Sequence, residues 1–349
     1  MTIDVNARDN YGYTGFFFAC QEGHLNVAKV LMEKSVALGI DLNAKDARNP
    51  TAFPKACIKG HTDIVQLVID FSVDFGGIDL NTHNEFGYCA FRWACADGHS
   101  ALVKILIENA VLLSLDLNTQ NRSGCTGFHW ACLQGHLGMV RMFMTNVASV
   151  DFNLKNISGR TGFHIACGLN HYNVAKILME NSAAMNIDLN AKDDKGWTAF
   201  HMVCGGGHAN MGKMFMVNFL TCRIDLNDKD HPGRIGSYCK CHQGFSNMAK
   251  ILMENSTPLT IDLNAKNHVG QTAFHLACRF GHYDVAKMLI ENSAILSIDL
   301  NATDNAGMTA YNLGLTSGSK STMELMLNNA DTLQIDLGFK KRNKLRKLD

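Results

Sequence analysis

Histidine and cysteine recur together at fixed spacing along this 349-residue chain, and both side chains can ligate metal or act as nucleophiles. His129, His164, His201 and His275 occupy one motif position. Cys20, Cys57, Cys95, Cys132, Cys167, Cys204, Cys241 and Cys278 occupy another. A zinc site needs about four ligands within about 2.0–2.3 Å of one point. Residues equivalent by repeat lie one helix-packing distance apart, about 8–10 Å, so they form a ladder that cannot close a tetrahedron. The same spacing exceeds the roughly 7 Å Cα limit of a disulfide. Both sets therefore read as structural. Cys239-Lys240-Cys241-His242 is the one local cluster of ligating types, but its spacing is not that of a zinc finger and no second pair accompanies it. No metal or other cofactor is expected. No GxSxG elbow, Walker A loop, HExxH or kinase set occurs either. Gly205-Gly206-Gly207 lacks the Lys-Ser/Thr of a phosphate loop and falls in an inter-helix turn. The chain reads as a non-enzyme.

The elements that carry these residues come from an internal repeat. An Asp-apolar-Asn tripeptide begins at Asp4, Asp41, Asp79, Asp116, Asp151, Asp188, Asp225, Asp262 and Asp299, with a broken tenth copy at Asp336. The usual step is 37 residues, so nine repeats account for residues 4–335. In the best-preserved repeat, Val269-Gly270 is a turn signal and Thr272 stands where an N-cap would sit. Phe274, Ala277 and Cys278 form one face of a short helix that Gly281 stops. Val285, Ala286, Met288, Leu289 and Ile290 line the apolar side of a second helix, with Asp284, Lys287 and Glu291 facing water. Neither helix can bury its stripe alone, so the repeats must stack around one continuous core.

The motif Thr272-Ala273-Phe274-His275-x-Ala277-Cys278-x-x-Gly281-His282 resembles the ankyrin repeat, whose signature is Thr-Pro-Leu-His-x-Ala followed by Gly-His. The resemblance covers nearly the whole chain. It implies an all-α ankyrin-repeat solenoid of stacked helix-turn-helix units with short hairpin-like turns. It also implies that the histidine bonds neighbouring turn backbone and that the cysteine position is small and buried. Residues 1–339 are expected to form a single array, with 340–349 a basic tail. A non-enzymatic scaffold follows, holding protein partners along a concave surface of turn tips and first helices. Mapped here, the tips hold Tyr11, Tyr13, Arg48, Phe86, Tyr88, Arg122, Arg160, Lys195, Trp197 and Arg234. Exposed first-helix positions hold Glu22, Lys59, Asp97, Gln134, Arg279 and Phe280. These vary between repeats while the frame stays fixed, and Tyr, Trp and Arg are common interface hot spots.

Departures from that pattern carry further expectations. The period exceeds the usual 33 by four residues, about one helical turn, and the excess follows the second helix. The second helix is therefore expected to run one turn long, altering the superhelical curvature. Proline is absent from the first helical position, where Ala52, Ala90, Ala199, Ala273 and Ala310 or Gly15, Gly127, Gly162 and Gly236 stand. Repeat seven, Gly233–Phe245, is eroded: Ile235 takes the capping position, Ser237 replaces the phenylalanine and Lys240 the buried alanine. Pro54 replaces the histidine of repeat two, inside the first helical turn that tolerates it.

Composition bounds the rest. With 32 basic and 32 acidic side chains the formal net charge is zero, so no global field draws the chain to nucleic acid or anionic membrane. No apolar run approaches the roughly 18 residues of a membrane span, and the N-terminus lacks signal-peptide features. Twelve mostly helix-embedded cysteines favour a reducing, cytoplasmic compartment. Lys340-Lys341-Arg342-Asn343-Lys344-Leu345-Arg346-Lys347 carries six cations in eight residues, of the kind that reads as a nuclear address or a polyanion contact, or as a solvated tail. A second reading is structural self-assembly into a head-to-tail homo-oligomer or filament. Phe16-Phe17-Phe18 in repeat one, and Met323, Leu325, Met326 and Leu327 in repeat nine, give the end repeats the look of interior ones.

Overall fold

The computed structural model describes residues 4–46, 51–75, 78, 90–145, 149–236, 246–256 and 259–337. The chain divides into two compact units, Met1–Ala166 with Ala184–Ile187, and Cys167–Ala183 with Asp188–Asp349. Among the described residues there are 18 helices, and the only β pairing is an isolated bridge between Thr303 and Thr309. The first unit holds α1 (Gly15–Glu22), α2 (Leu25–Glu33), α3 (Ser35–Leu38), α4 (Ala52–Lys59), α5 (Thr62–Phe75), α6 (Ala90–Ala96), α7 (Ser100–Glu108), α8 (Gly127–Gln134) and α9 (Leu137–Met144). Helix α10 (Gly162–Gly168) begins in it. The second unit holds α11 (Tyr172–Glu180), α12 (Ala199–Gly206), α13 (Ala209–Asn218), α14 (Ser246–Ser256), α15 (Ala273–Arg279), α16 (Tyr283–Glu291), α17 (Ala310–Ser317) and α18 (Lys320–Leu333).

Repeat eight forms as its spacing predicts. Thr272 caps α15 in extended geometry, accepting from the His275 N–H. Gly281 takes φ +72°, and the next N–H, that of His282, donates to the Ala277 carbonyl at 2.9 Å, closing the helix end. Val285, Ala286, Leu289 and Ile290 are buried on α16, while Met288 is half-buried. Between repeats, first helices stack on first helices and second on second. Phe91 and Phe128 meet Phe143 edge-on in the first unit, with centroids 5.7 Å apart. Stacking this close explains the glycines at the first helical position. A Cβ at Gly127 would come within 3.0 Å of Phe91 and Cys95, and one at Gly236 within 3.0 Å of Phe200.

The extra turn differs from the expectation in most repeats. Helices α5 and α18 do run on to 14 residues each. In repeats one, three, five, six and eight the second helix stops and the added residues make a separate turn. In repeat eight α16 ends at Glu291, Leu296 N–H then bonds the Asn292 carbonyl, and Ile298 N–H bonds that of Ser293. A left-handed residue ends the added segment, whether a separate turn or the extended α18: Gly39, Ser114, Asn186, Arg223, Thr260, Ser297 or Gln334, with φ between +48° and +64°. Six of these seven are not glycine, so each break is strained and needs outside support.

That support is the asparagine of the Asp-apolar-Asn motif. In repeat eight Asn264 Nδ2 donates to the Ser297 carbonyl (2.8 Å), and Asn264 Oδ1 accepts the Asp299 N–H (2.8 Å). Asn6, Asn190, Asn227 and Asn301 make the same pair, one bond to the carbonyl at the break of their own repeat and one from the Asp N–H that opens the next. Asn118 does so across the shorter repeat four, to Ser149 and Asp151. One carboxamide holds both sides of the break.

Of the eroded repeat seven, Ile235 is fully buried, while Ser237–Phe245, including Lys240 and the Cys239–His242 cluster, lies outside the described residues. Pro54 is the third residue of α4 and is buried there. The basic tail also lies outside the described residues.

Candidate interaction face

The recurring histidine is the strut that positions each turn tip. Thr126 Oγ1 caps α8, accepting the His129 N–H (3.3 Å), while His129 Nδ1 accepts the Thr126 N–H (3.2 Å). The other ring nitrogen, Nε2, donates to the Arg160 carbonyl of the next tip (3.1 Å). A carbonyl can only accept, so the neutral Nε2–H tautomer is the one this geometry requires. Thr198–His201 and Thr272–His275 repeat the box, with Nε2 reaching the carbonyls of Arg234 (2.9 Å) and Met308 (3.1 Å). Burial pushes the pKa of all three histidines down, against smaller raising effects from the backbone bonds and, at His201, from Asp230 and Asp228. Both ring nitrogens are thus committed to protein partners. Three of the ladder cysteines are held as thiols: burial raises Cys20 to about 12 and lifts Cys132 and Cys278 further.

Each described tip folds around one Asp or Asn. Asp193 Oδ1 accepts the N–H groups of Lys195 and Trp197, both at 2.9 Å. Asp9 does the same for Tyr11 and Tyr13, Asn156 for Ser158 and Arg160, and Asp304 for Ala306 and Met308. Neighbouring tips are joined by one backbone bond, such as Ile157 N–H to the Ser123 carbonyl and Asn305 N–H to that of Val269. The frame is rigid where it bonds, and the remaining side chains are free to vary.

In the first unit Tyr11 is 67% exposed and stacks beside Tyr13, which in turn stacks on the buried Phe17 at 4.3 Å. Arg122 is exposed and Arg160 half-buried. In the second unit Lys195 is exposed. Trp197 is half-buried, its indole donating to Asp230 Oδ2 (3.1 Å), a carboxylate that Arg234 also grips at 2.7 Å. Arg279 and Phe280 are exposed neighbours, the guanidinium 5.6 Å from the ring. Arg48, Phe86 and Tyr88 lie outside the described residues. Trp197 therefore also serves as a strut to the next tip, and Arg234 braces the Asp230 carboxylate it binds.

Sequence reasoning missed a second group. The position between histidine and Ala-Cys holds Phe18, Trp93 and Trp130 in the first unit, and these rings are half-buried or exposed. Leu133 lies one turn along from Trp130 and is exposed. The signal was available: the same position holds buried Met202, Leu276 and Leu313 in the second unit. The back of the repeats is uniform. Lys29–Glu33, Lys104–Glu108, Lys176–Glu180, Lys250–Glu254 and Lys287–Glu291 pair at 3.8–4.0 Å, all solvent-exposed.

Family profiles described as ankyrin repeats match residues 2–56, 36–115, 110–193, 214–303 and 237–336. The chain belongs to the ankyrin-repeat family. Its fold is the all-α ankyrin-repeat solenoid. Among solved structures it is similar to the ankyrin repeat domain of Bcl-3, described as a unique member of the IκB protein family. That match has 18% identity and a TM-score of 0.56, covering 64% of this chain and 92% of the other. No curated protein matches the chain. Ankyrin repeats generally mediate protein–protein interaction, and the exposed rings and guanidinium groups are the side chains such contacts use. Among the described residues no group of three or more His, Cys, Asp or Glu could hold a metal ion, and no helix is long and apolar enough to cross a membrane.

Proposed function

We propose that the protein is a non-enzymatic scaffold that binds protein partners on the face made by its turn tips and first helices. The observation that carries this reading is the contrast between that face and the ion-paired back. Tyr11, Phe18, Trp93, Trp130, Arg279 and Phe280 present large side chains from a fixed frame, whereas the back repeats one Lys–Glu pair. Residues 1–339 act as one array in this proposal, with Arg48, Phe86, Tyr88, Arg122, Arg160 and Lys195 contributing from their tips. The location is intracellular, with Lys340–Lys347 as a nuclear address. The test is an affinity pull-down comparing the native chain with Tyr11→Ala/Trp130→Ala/Phe280→Ala and with the back variant Lys104→Ala/Lys176→Ala. A partner lost from the first variant and kept by the second, at unchanged helicity, supports the reading. A partner lost only from the back variant overturns it.

A further inference from the structure

The second helices of repeats five and six, α11 and α13, leave an open groove of about 780 Å³ between them in the second unit. Asn170 and Tyr172 line it where α11 begins, Lys176 and Lys213 follow about one turn on, and Val217 stands one turn beyond Lys213. Met214 also lines it and is buried.

Repeat six departs here from the ion-paired back. In five repeats the lysine at the Lys213 register is followed one turn later by a glutamate, and the two pair at 3.8–4.0 Å. Three others carry Asp70, Thr145 and Asn328 at the glutamate position. Repeat six carries Val217, the one apolar residue at that position in nine repeats, and it is 80% exposed. Leu220, a further turn along, is 75% exposed. Glu180 is already held by Lys176 at 3.8 Å, and His208 Nε2 donates to the Gly168 carbonyl at 3.1 Å. Among the described residues Lys213 is exposed and has no carboxylate partner. In the isolated chain Val217 is unfavourable twice. It forgoes the Lys–Glu pair, and a β-branched residue is a poorer helix former than glutamate. Burial does not compensate, because the side chain stays in water.

We propose that this groove is a second docking site, separate from the turn tips, for a segment of a partner protein that carries a carboxylate beside an apolar side chain. The carboxylate pairs with Lys213. The apolar side chain covers Val217 and reaches Met214, about one helical turn away. Charge fixes the sign: an acidic segment neutralises the unpaired lysine, whereas a basic one would add a third cation beside Lys176 and Lys213. Asn170 and Asn210, both exposed, offer carboxamides to the segment's backbone. Where a repeat keeps its glutamate, the lysine is already satisfied and the apolar strip is interrupted, so the site belongs to repeat six alone.

The test selects binders of the full native chain from a phage-displayed library of random peptides. Their affinities are then measured by fluorescence anisotropy on the native chain and on variants. Val217→Glu gives repeat six the residue that five other repeats carry, so helicity by circular dichroism should be unchanged. One family of binders should be rich in Asp and Glu, with an apolar residue three or four positions from a carboxylate. It should weaken at least about tenfold on Val217→Glu and about fivefold on Lys213→Ala. The same family should bind Tyr11→Ala/Trp130→Ala/Phe280→Ala as it binds the native chain, which separates this site from the tip face. If Val217→Glu loses helicity, Lys213→Ala alone decides. Binders that are all indifferent to both variants overturn the proposal, as do sensitive binders without Asp or Glu. Sensitive binders that are also lost from the tip variant overturn a separate site and leave the tip face standing.

Discussion

Two polar ladders run between neighbouring repeats, and they tolerate sequence drift unequally. The histidine ladder at the first-helix cap loses its residue in repeats one, two, three, seven and nine, where Phe17, Pro54, Arg92, Tyr238 and Asn312 stand instead. The asparagine ladder at the added turn keeps its residue in all nine repeats, from Asn6 to Asn301. Burial explains the difference. The cap position sits against a core, so a ring can replace the polar strut, as Phe17 does by stacking on Tyr13. Asn312 even rebuilds the capping box with Thr309. The clamp is exposed and spans a left-handed break, so no apolar packing can substitute for it. Only a carboxamide offers a donor and an acceptor at that spacing.

The comparison can be broken hardest at the buried ladder. His201→Ala leaves the Thr198 N–H and the Arg234 carbonyl without their buried partner, and should cost about 3 kcal/mol in urea unfolding. His201→Asn, which copies repeat nine, should recover part of that. A loss below about 1 kcal/mol for the alanine variant would mean that the strut is ornamental. Asn264→Ala removes two exposed bonds and should cost about 1–2 kcal/mol. Asn264→Asp should fare no better, because its carboxylate would face the Ser297 carbonyl. Full stability in the aspartate variant would show that the acceptor alone suffices.

Acid sharpens the contrast, because only one ladder titrates. His129, His201 and His275 have folded pKa values lowered by burial, while the unfolded value is about 6.5. Between the two values the unfolded chain binds more protons. The histidine contribution is thus complete above about pH 6.5 and is lost as pH falls toward the lowered values. Urea midpoints should drop on going from about pH 7 to about pH 5, and less steeply in His275→Asn, which has one fewer titrating rung. Equal slopes would place the acid sensitivity elsewhere. The smallest effect belongs to the helix starts. Thr198 and Thr272 have the extended ψ that a following proline requires, so Ala199→Pro and Ala273→Pro should each stabilise by about 0.4–1 kcal/mol, read as a raised melting temperature. A fall in both would show strain at the cap.

The repeat, its two helices, the Thr272 cap and the Gly281 stop were all legible because each is written in residues with strong local preferences. The added turn was only half legible. Its length was right, but the break was not visible, since Arg223, Thr260 and Ser297 carry no left-handed signal and are held there by an asparagine 33 residues earlier in the chain. The tips were legible as positions, though not which residues double as struts: Trp197 reads as an exposed anchor until Asp230 is seen to hold it. Trp93 and Trp130 were hidden because the same position is core elsewhere, holding buried Ile165, Met202, Leu276 and Leu313.

The clamp is the feature that sets this array apart from a 33-residue period, and amide hydrogen exchange at Asp299 tests it most directly. Its N–H has Asn264 Oδ1 as partner, whereas the Ala286 N–H bonds the His282 carbonyl at the start of the same repeat's second helix. In Asn264→Ala the Asp299 amide should exchange at least about tenfold faster, equivalent to about 1.4 kcal/mol, while Ala286 keeps its native protection. Unchanged exchange at Asp299, or equal acceleration at both amides, would contradict the account.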